Sequence, residues 1–376
     1  MGQQGNAENC FLNFEFCTLN YKLSSVFLRA LRASVVEKID QMKNIPFNAF
    51  WVTEESDGSF KNQVIQRLTD DLPQNGVLIK VAFSSLNYKD ALSAFGNKGI
   101  TRRYPHTPGI DAAGTVVESS FGKFQPGDHV IVTGNDLGMN TAGGFGEYIH
   151  VPAEWVVPLP DGLNLKESMI LGTAGFTAAL SMHHLLRCGQ KPEDGPLLVT
   201  GATGGVGSIS VAIAAKLGFN VTASTGKTEQ HEYLKKLGAQ TIISRSEVDD
   251  QSGRMLLRPQ WAAAIDTVGG NTLATILKSM KTHGNVASCG NVASPLLNTS
   301  VFPFILNGVN LLGVNSATTP MDLRLKLWDN LANDWKPAFQ SIETKIVGLN
   351  EIHLSIEKIL KSEITGRVIL EHKQNL

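Results

Sequence analysis

The feature that most constrains the fold is a glycine-rich turn between a strand-like and a helix-like segment, at residues 196–218. The segment reads PLLVT, then GATGGVG, then SISVAIAAKLG, so Gly201, Gly204 and Gly207 lie three residues apart. Between a strand and a helix, this spacing permits a tight turn, close approach of the backbone to a pyrophosphate and close helix–strand packing. The pyrophosphate then meets free N–H groups at the helix start. We predict a dinucleotide-binding turn with contacts from Thr203, Gly204, Gly205, Val206 and Gly207.

Further strand-like segments follow this turn. They lie at 219–224, 240–244, 261–266, 284–290 and 310–316, and segments with helical spacing separate them. Strands that alternate with helices in this way indicate a parallel, doubly wound sheet. The sequence therefore predicts an α/β region of the Rossmann type.

The first part of the chain has a different pattern. From 46 to about 160, short apolar segments alternate with Gly and Pro turns, which predicts an all-β, barrel-like region. A length of 376 residues is typical of about two domains. The tail contains a strand, a helix and a strand that we expect to return to the barrel. We therefore predict a barrel domain at 43–168 and 336–376, and a nucleotide-binding domain at 169–335.

Residues 1–42 are predicted to be an N-terminal extension outside the core fold. The stretch 19–36 has no acidic residue and carries Lys22, Arg29 and Arg32, a weak mitochondrial presequence pattern. Four scattered cysteines favour a reducing compartment, so we expect a cytoplasmic protein, with mitochondrial import as the alternative. A net charge of −1 argues against nucleic-acid or anionic membrane partners. No apolar run reaches the roughly 18–20 residues that span a bilayer.

The segment after the second strand of this region bears on the choice of cofactor. An acidic residue about 20 positions past the glycine motif would bind the ribose 2′-hydroxyl of NAD. No acidic residue occurs between Phe219 and Thr228. Hydroxyl groups and cations stand there instead, and phosphate oxygens bind such groups. We predict NADPH, with contacts from Ser224, Thr225, Gly226, Lys227 and Arg245; the alternative is that Lys227 is a solvated lysine on a turn.

A second glycine pair ends the segment IDTVGG, residues 265–270. Ligands of doubly wound sheets bind at the carboxyl ends of the strands, and this segment is expected to end one. We expect Gly269 and Gly270 to leave room for the cofactor. Asp266 either contributes to the site or holds loop amides.

Six motifs carry a family resemblance. They are SSLNYKDAL (84–92), PGIDAAGTV (108–116), GTAGFTAAL (172–180), AIDTVGG (264–270), PFILNGVNLLGVNS (303–316) and TGRVI (365–369). With them, about residues 45–372 resemble the medium-chain dehydrogenase/reductase superfamily, in its acryloyl-CoA reductase, or quinone oxidoreductase-like, branch. The resemblance implies a GroES-like β-barrel catalytic domain beside the Rossmann domain. It also implies a homodimer, which we expect to form by edge-strand pairing near 310–316.

The superfamily includes zinc-dependent and zinc-independent enzymes. Zinc-dependent members have a cysteine ligand where this chain has Asn87, and a His-Glu pair where it has Ile110 and Asp111. Isoleucine cannot bind metal and catalytic zinc needs three protein ligands, so we predict no metal site. The resemblance then implies NADPH-dependent reduction of the carbon–carbon double bond of acryloyl-CoA or a similar short 2-enoyl-CoA. The alternatives are an NADPH:quinone oxidoreductase and, outside enzymes, an NADPH-binding structural or sensor protein.

The resemblance also implies roles for individual residues. Tyr88 is expected against the nicotinamide, as a proton donor or as a positioning residue, and Asn87 and Lys89 are lesser catalytic candidates. Asp90 is expected to cap the following helix. Arg102 either binds the phosphates of coenzyme A or is a solvated loop cation. Further residues expected near the cofactor are Gly290, Asn291, Phe304, Ile305, Asn315, Ser316 and Arg367.

Overall fold

The computed structural model describes residues 44–74, 76–120 and 122–373. The predicted extension and its presequence pattern, residues 1–42, lie outside the described residues. One six-stranded sheet is parallel throughout, and a seven-stranded sheet is largely antiparallel. These two sheets agree with the predicted fold class, a barrel-type region joined to a doubly wound α/β region.

The strands of the first region are short and end at turns. The elements are β1 Pro46–Glu54, β2 Phe60–Leu68, β3 Val77–Ser85, α1 Tyr88–Ala94, β4 Asp111–Ser119, β5 His129–Thr133, β6 Tyr148–Val151 and β7 Val156–Pro158. The turn before β5 shows how the sequence ends a strand. Pro126 presets its own φ, Gly127 adopts a φ of +98°, and the backbone N–H of Gln125 donates to Asp128 Oδ2 at 2.8 Å.

The second region alternates helices and strands. The elements are α2 Leu165–Arg187, β8 Leu197–Val199, α3 Gly205–Lys216, β9 Val221–Thr225, α4 His231–Lys236, β10 Thr241–Ser244, β11 Trp261–Asp266, α5 Gly270–Lys278, β12 Met280–Ser288, α6 Phe302–Asn307, β13 Asn310–Gly313 and α7 Met321–Ala332. The sheet order is β10-β9-β8-β11-β12-β13. In a doubly wound sheet of this order, a dinucleotide binds where the order reverses, between β8 and β11.

Helix α2 connects the two regions and spans the predicted domain boundary at residue 168, which remains a prediction. By length and composition alone α2 could cross a membrane, but 78% of its most apolar window is buried inside the protein. Its apolar side chains pack in one core with residues of both sheets, including Ile131 of β5 and Val199 of β8. At Gly172 the helix is kinked, with φ 52° and ψ −154°. The kink directs the next backbone N–H into the site described below.

The tail contributes β14 Thr344–Val347, α8 Ile352–Leu360 and β15 Arg367–Glu371. Strand β15 pairs antiparallel with β3, so that Ile369 lies opposite Ser85. The order of this sheet is β14-β15-β3-β4-β5-β7, and β6 also pairs with β3. The tail therefore belongs to the sheet of the first region.

The ends of β1 and β2 belong to a small separate unit, of which residues 44–47 and 67–72 are described. Within it, the backbone N–H of Asn44 donates to Asp70 Oδ1 at 3.1 Å, and that of Ile45 donates to Thr69 Oγ1 at 3.0 Å. Bonds from the backbone to side chains thus hold this unit together.

Candidate active site

The glycine turn after β8 packs directly against helix α3. Gly201 has a φ of +57°, a conformation that glycine adopts without strain. A β-carbon on Gly207 would overlap the carbonyl oxygen of Gly201 and lie 2.8 Å from Cα of Ala202. Helix α3 therefore begins at Gly205, three residues before the predicted start at residue 208, because the glycines form its first turn.

The start of α3 has the features of an anion-binding site. Gly204 is the N-cap residue, and no side chain caps the helix there. A β-carbon on Gly204 would have the Gly201 carbonyl oxygen, at 3.3 Å, as its only neighbour within 4 Å. The outer face of the turn is thus open, and free N–H groups at a helix start favour an anion. In this turn, Thr203 is buried and Val206 is partly buried.

At the end of β9, two cations flank one glycine. Ser224 and Thr225 are buried, whereas Gly226 is exposed. Gly226 lies under the guanidinium of Arg245: a β-carbon on Gly226 would be 2.7 Å from Arg245 Nε. Lys227 is the next residue, and its backbone N–H donates to Thr225 Oγ1 at 3.0 Å. The end of β9 thus carries Ser224, Thr225 and Lys227, with the Arg245 guanidinium beside Gly226.

The Lys227 side chain is not freely solvated. Its ammonium donates to the carbonyl oxygen of Ile364 at 3.0 Å and to Thr365 Oγ1 at 3.3 Å. The alternative interpretation of Lys227 as a solvated turn lysine is therefore wrong.

A buried carboxylate, Asp111, organises the segment that precedes α1. It accepts hydrogen bonds from Ser85 Oγ at 2.5 Å, Asn87 Nδ2 at 2.8 Å, and Thr173 Oγ1 at 2.6 Å. The backbone N–H of Thr173, exposed by the kink at Gly172, also donates to it at 2.9 Å. Sequence reasoning noted Asp111 only as a missing zinc ligand, and no local signal pointed to this network.

The side-chain amide of Asn87, a lesser catalytic candidate, is hydrogen-bonded to neighbouring groups. Its amide nitrogen donates to Asp111 and also to the carbonyl oxygen of Ser85, at 3.2 Å. Both amide hydrogens are thus used, so in this conformation Asn87 has no donor left for a substrate. We assign Asn87 to the positioning of Asp111. Tyr88, the next residue, is 38% exposed, and Lys89 is exposed.

Asp90 caps α1, as expected, and also binds backbone N–H groups of the loop before β4. It accepts the backbone N–H of Asn87 at 2.7 Å, and also those of Ile110 at 2.8 Å and Gly109 at 3.1 Å. Asp90 is fully buried, and this burial, followed by the nearby Asp111 carboxylate, raises the pKa of Asp90 to about 7. Asp90 therefore joins α1 to the loop before β4.

Arg367 is a buried guanidinium, 3% exposed, at the start of β15. Its Nε donates to the carbonyl oxygen of Ile170 at 2.9 Å, and its Nη2 has no hydrogen-bond partner. A β-carbon on Gly205 would lie 2.7 Å from Nη1, so Arg367 lies beside the first turn of α3. Burial lowers its pKa, and the charges of Asp111 and Asp90 oppose that shift. Nη1, the atom nearest the helix start, donates to the carbonyl oxygen of Leu86 at 3.5 Å, whereas the unpartnered Nη2 is buried beside Gly172. Arg367 thus places a buried positive charge behind the uncapped helix start, and positive charge there favours an anion such as a pyrophosphate.

The glycine pair at 269–270 has a different task from the predicted one. A β-carbon on Gly269 would lie 2.7 Å from the carbonyl oxygen of Ser294, and one on Gly290 would overlap the Thr267 carbonyl. These glycines therefore allow two loops to pack backbone against backbone. Asp266 is buried and accepts from Thr200 Oγ1 at 2.7 Å and from the Gly269 N–H at 2.9 Å, which makes it a holder of loop amides.

The other expected residues lie on loops, apart from Phe304 and Ile305, which lie in α6. Asn291, Ile305 and Asn315 are exposed, and Phe304 is partly buried. The loop that contains Asn315 and Ser316 is held by Arg324, which sequence reasoning missed. Arg324 is 1% exposed and donates to the carbonyl oxygens of Ser316 and Ala317, both at 3.0 Å, and to that of Thr133 at 3.0 Å. Arg324 thereby connects the end of β5, in the first region, to the loop before α7, in the second.

Two further expectations concern a metal and coenzyme A. The described residues contain no group of three or more His, Cys, Asp or Glu side chains that could hold a metal ion. Arg102 is exposed, and its backbone N–H donates to Asn140 Oδ1 at 3.2 Å. Its role toward coenzyme A stays a prediction.

Two protein-family models match the chain. Residues 73–161 match the alcohol dehydrogenase GroES-like domain, and residues 205–333 match the zinc-binding dehydrogenase model. Among characterised sequences, a putative quinone oxidoreductase of Bacillus subtilis (strain 168) is 48% identical over 81% of this chain and 92% of its own length. The acrylyl-CoA reductase of Ruegeria pomeroyi is 40% identical over 86% of this chain and 99% of its own length.

Solved structures of oxidoreductases and related proteins are similar to this chain over most of its length. The Bacillus subtilis yhfP protein with NAD bound has a TM-score of 0.84 and 46% identity, covering 87% of this chain and 99% of its own. The Escherichia coli K-12 YhdH protein with bound NADPH has a TM-score of 0.83 and 42% identity, covering 86% and 99%. The Salmonella enterica yhdH oxidoreductase with NADP has a TM-score of 0.84 and 41% identity, covering 87% and 100%. The predicted fold class, a GroES-like barrel plus a Rossmann domain, is confirmed.

Proposed function

Because the chain belongs to the medium-chain dehydrogenase/reductase superfamily, in its acryloyl-CoA reductase and quinone oxidoreductase-like branch, we propose that it reduces short 2-enoyl-CoA thioesters with NADPH. All of these relatives together support the more general assignment, that the protein is a nicotinamide-dependent oxidoreductase. The proposed substrate is acryloyl-CoA or a close homologue, reduced at its carbon–carbon double bond without zinc. The 40% identity to the Ruegeria pomeroyi acrylyl-CoA reductase and the 42% identity to a probable acrylyl-CoA reductase of Escherichia coli, over nearly their full lengths, support this substrate.

One observation carries the choice of NADPH over NADH. Lys227 and Arg245 flank Gly226 at the end of β9, and no carboxylate lies between 219 and 228 to repel a 2′-phosphate. The Escherichia coli and Salmonella structures hold NADPH and NADP, whereas the Bacillus subtilis structure holds NAD. A nicotinamide dinucleotide is common to all three.

The residues of the cleft have distinct tasks in this proposal. When bound, NADPH supplies the hydride that adds to the β-carbon of the enoyl thioester. Arg367 and the start of α3 would hold the pyrophosphate, and Lys227 and Arg245 the 2′-phosphate. Negative charge develops on the thioester oxygen, and stabilising such charge is often the largest catalytic contribution. Tyr88 is 38% exposed, and in this proposal its hydroxyl donates to that oxygen or delivers the proton to the α-carbon.

Steady-state kinetics with two cofactors and several acceptors tests the function. We expect kcat/KM for NADPH with acryloyl-CoA to exceed that with a simple quinone by about tenfold or more. A preference for the quinone would favour the second candidate, which the 48% identity to a putative quinone oxidoreductase supports. Tight NADPH binding with no oxidation by any acceptor would instead favour a structural or sensor protein.

Replacing Tyr88 by phenylalanine is expected to lower kcat by about tenfold or more, because the variant keeps the ring and loses the proton donor. Single-turnover and steady-state rates with NADPH and acryloyl-CoA would measure this. Tyr148→Phe, the same change on β6, is the matched control and should leave kcat as it is. If Tyr88→Phe turns over like the unmodified protein, Tyr88 has a positioning role only.

We also propose a homodimer formed through the edge of the parallel sheet. Strand β13 is the last strand of that sheet. Around it, large apolar side chains are exposed, among them Ile305 at 68% and Leu306 at 61%. An exposed apolar patch beside an open strand edge is typical of a protein interface.

The double variant Ile305→Glu, Leu306→Glu is expected to convert a dimer into a monomer, because the new charges would have to be buried. Light scattering coupled to gel filtration should give the mass of two 40.6 kDa chains before the change and of one after it. Leu354→Glu, at a 51% exposed leucine on α8, is the control that should stay dimeric. A monomer in the unmodified protein would refute the proposal.

A further inference from the structure

The cation at the end of β9 is held by a segment from the other region of the chain. Lys227 follows β9 in the parallel sheet, whereas Ile364 and Thr365 lie just before β15 in the antiparallel sheet. The contact joins residues 138 positions apart, from Lys227 Nζ to Thr365 Oγ1. The orientation of this lysine is therefore set by tertiary structure rather than by the turn that carries it.

The same segment is anchored immediately after the contact. The backbone N–H of Gly366 donates to the carbonyl oxygen of Thr203, in the glycine turn, at 2.9 Å. The backbone N–H of Arg367 donates to the Glu343 carbonyl oxygen at 2.8 Å. These two bonds fix the backbone that follows Thr365, and its hydroxyl accepts from the ammonium at 3.3 Å.

The Lys227 ammonium keeps one donor that these contacts do not use. A lysine ammonium has three donors, and Ile364 O and Thr365 Oγ1 accept two of them. Within the described residues, Lys227 and Arg245 form no salt bridge with a carboxylate. The third donor is not used by these two contacts and is available to a ligand.

We propose that Thr365 is a specificity-determining positioning residue, which holds the Lys227 ammonium where it selects nucleotides that carry a 2′-phosphate. This inference rests on the proposed use of NADPH. A lysine side chain loses much rotational freedom when it binds an anion. Holding it in place beforehand removes part of that cost and strengthens binding of the phosphate. The choice of cofactor is then shared between the Rossmann strand end and the tail of the barrel region.

Calorimetric titration of the full-length protein with 2′,5′-ADP and with ADP tests the inference without a substrate. Thr365→Val keeps the shape of the side chain and removes the hydroxyl. It is expected to weaken binding of 2′,5′-ADP by about three- to tenfold, because one hydrogen bond to a charged group is lost. Binding of ADP should be unchanged. Thr365→Ser restores a hydroxyl and should restore the affinity for 2′,5′-ADP. NADPH and NADH should behave as the two fragments do.

A double-mutant cycle with Lys227→Gln isolates the contact. If Thr365 acts through Lys227, Thr365→Val should have no further effect in the Lys227→Gln background. Equal weakening of both nucleotides, additive effects in the cycle or failure of Thr365→Ser to rescue would each overturn the inference. Thr365→Ala replaces Thr365→Val if the valine variant does not fold.

Nucleotide binding by the unmodified protein distinguishes a failure of this inference from a failure of the proposed function. If the protein binds 2′,5′-ADP no better than ADP, the proposed use of NADPH fails, and the inference fails with it. If it prefers 2′,5′-ADP and Thr365→Val keeps that preference, only the role of Thr365 fails.

Discussion

Gly207→Ala is expected to lower the free energy of unfolding by about 2–3 kcal/mol and to abolish measurable NADPH binding. The new methyl group would overlap the carbonyl oxygen of Gly201 and lie 2.8 Å from Cα of Ala202. Both neighbours are backbone atoms, so no side chain can rotate away and α3 must shift from β8. Urea denaturation and fluorescence titration with NADPH would measure the two effects.

Gly204→Ala provides the matched control, because it adds the same methyl group in the same turn. Its φ of −79° suits alanine, and the nearest atom to the new β-carbon is 3.3 Å away. The free energy of unfolding should change by less than about 1 kcal/mol. NADPH affinity should fall by about tenfold or more, because the methyl group enters the space assigned to the pyrophosphate. Gly204→Ala with unchanged affinity would place the pyrophosphate elsewhere, and a normally stable Gly207→Ala would contradict the packing.

Arg324→Met is expected to lower the free energy of unfolding by about 3 kcal/mol. The substitution removes the donors that serve the carbonyl oxygens of Thr133, Ser316 and Ala317. The Ala317 carbonyl oxygen keeps the backbone N–H of Asn135 at 2.9 Å, so the loss comes mainly from the weakened hydrogen bonding of the Thr133 and Ser316 carbonyl oxygens. Burial lowers the pKa of Arg324 to about 10, so the guanidinium is still charged at neutral pH and donates strong hydrogen bonds. Equilibrium urea denaturation would measure the loss.

Arg245→Met is the control for this change, because it is chemically identical at an exposed position without a salt bridge. Its free energy of unfolding should stay within about 0.5 kcal/mol of the unmodified protein. An Arg324→Met variant that is as stable as Arg245→Met would show that the contact between Thr133 and the 316–317 loop is dispensable.

Local patterns predicted the fold well. The glycine turn, the strands from 219 to 316 and the strand–helix–strand tail all occur where the periodicity indicated them. The start of helix α3 was predicted too late, because its first turn contains glycine, which is a poor helix former. Such boundary errors arise when packing outweighs intrinsic propensity.

Local patterns were less informative about individual site residues. Gly269 and Gly270 were expected to face a cofactor and instead face the backbone of the loop at 290–294. Asn87 was expected to act in catalysis, and its amide is used by Asp111 and Ser85. A glycine or an amide in a sequence shows that space or a donor is available, and it does not show which partner uses it.

By itself, the sequence determined the succession of strands and helices and the dinucleotide turn, because periodicity, turn residues and glycine spacing act over a few neighbouring residues. Only the tertiary structure decided which polar groups meet. Asp111 meets Thr173 across 62 positions, Lys227 meets Thr365 across 138, and Arg324 meets Thr133 across 191. Such pairs depend on the kink of α2 and on the return of the tail to β3, and a buried charge makes its hydrogen bonds with whatever that packing places beside it.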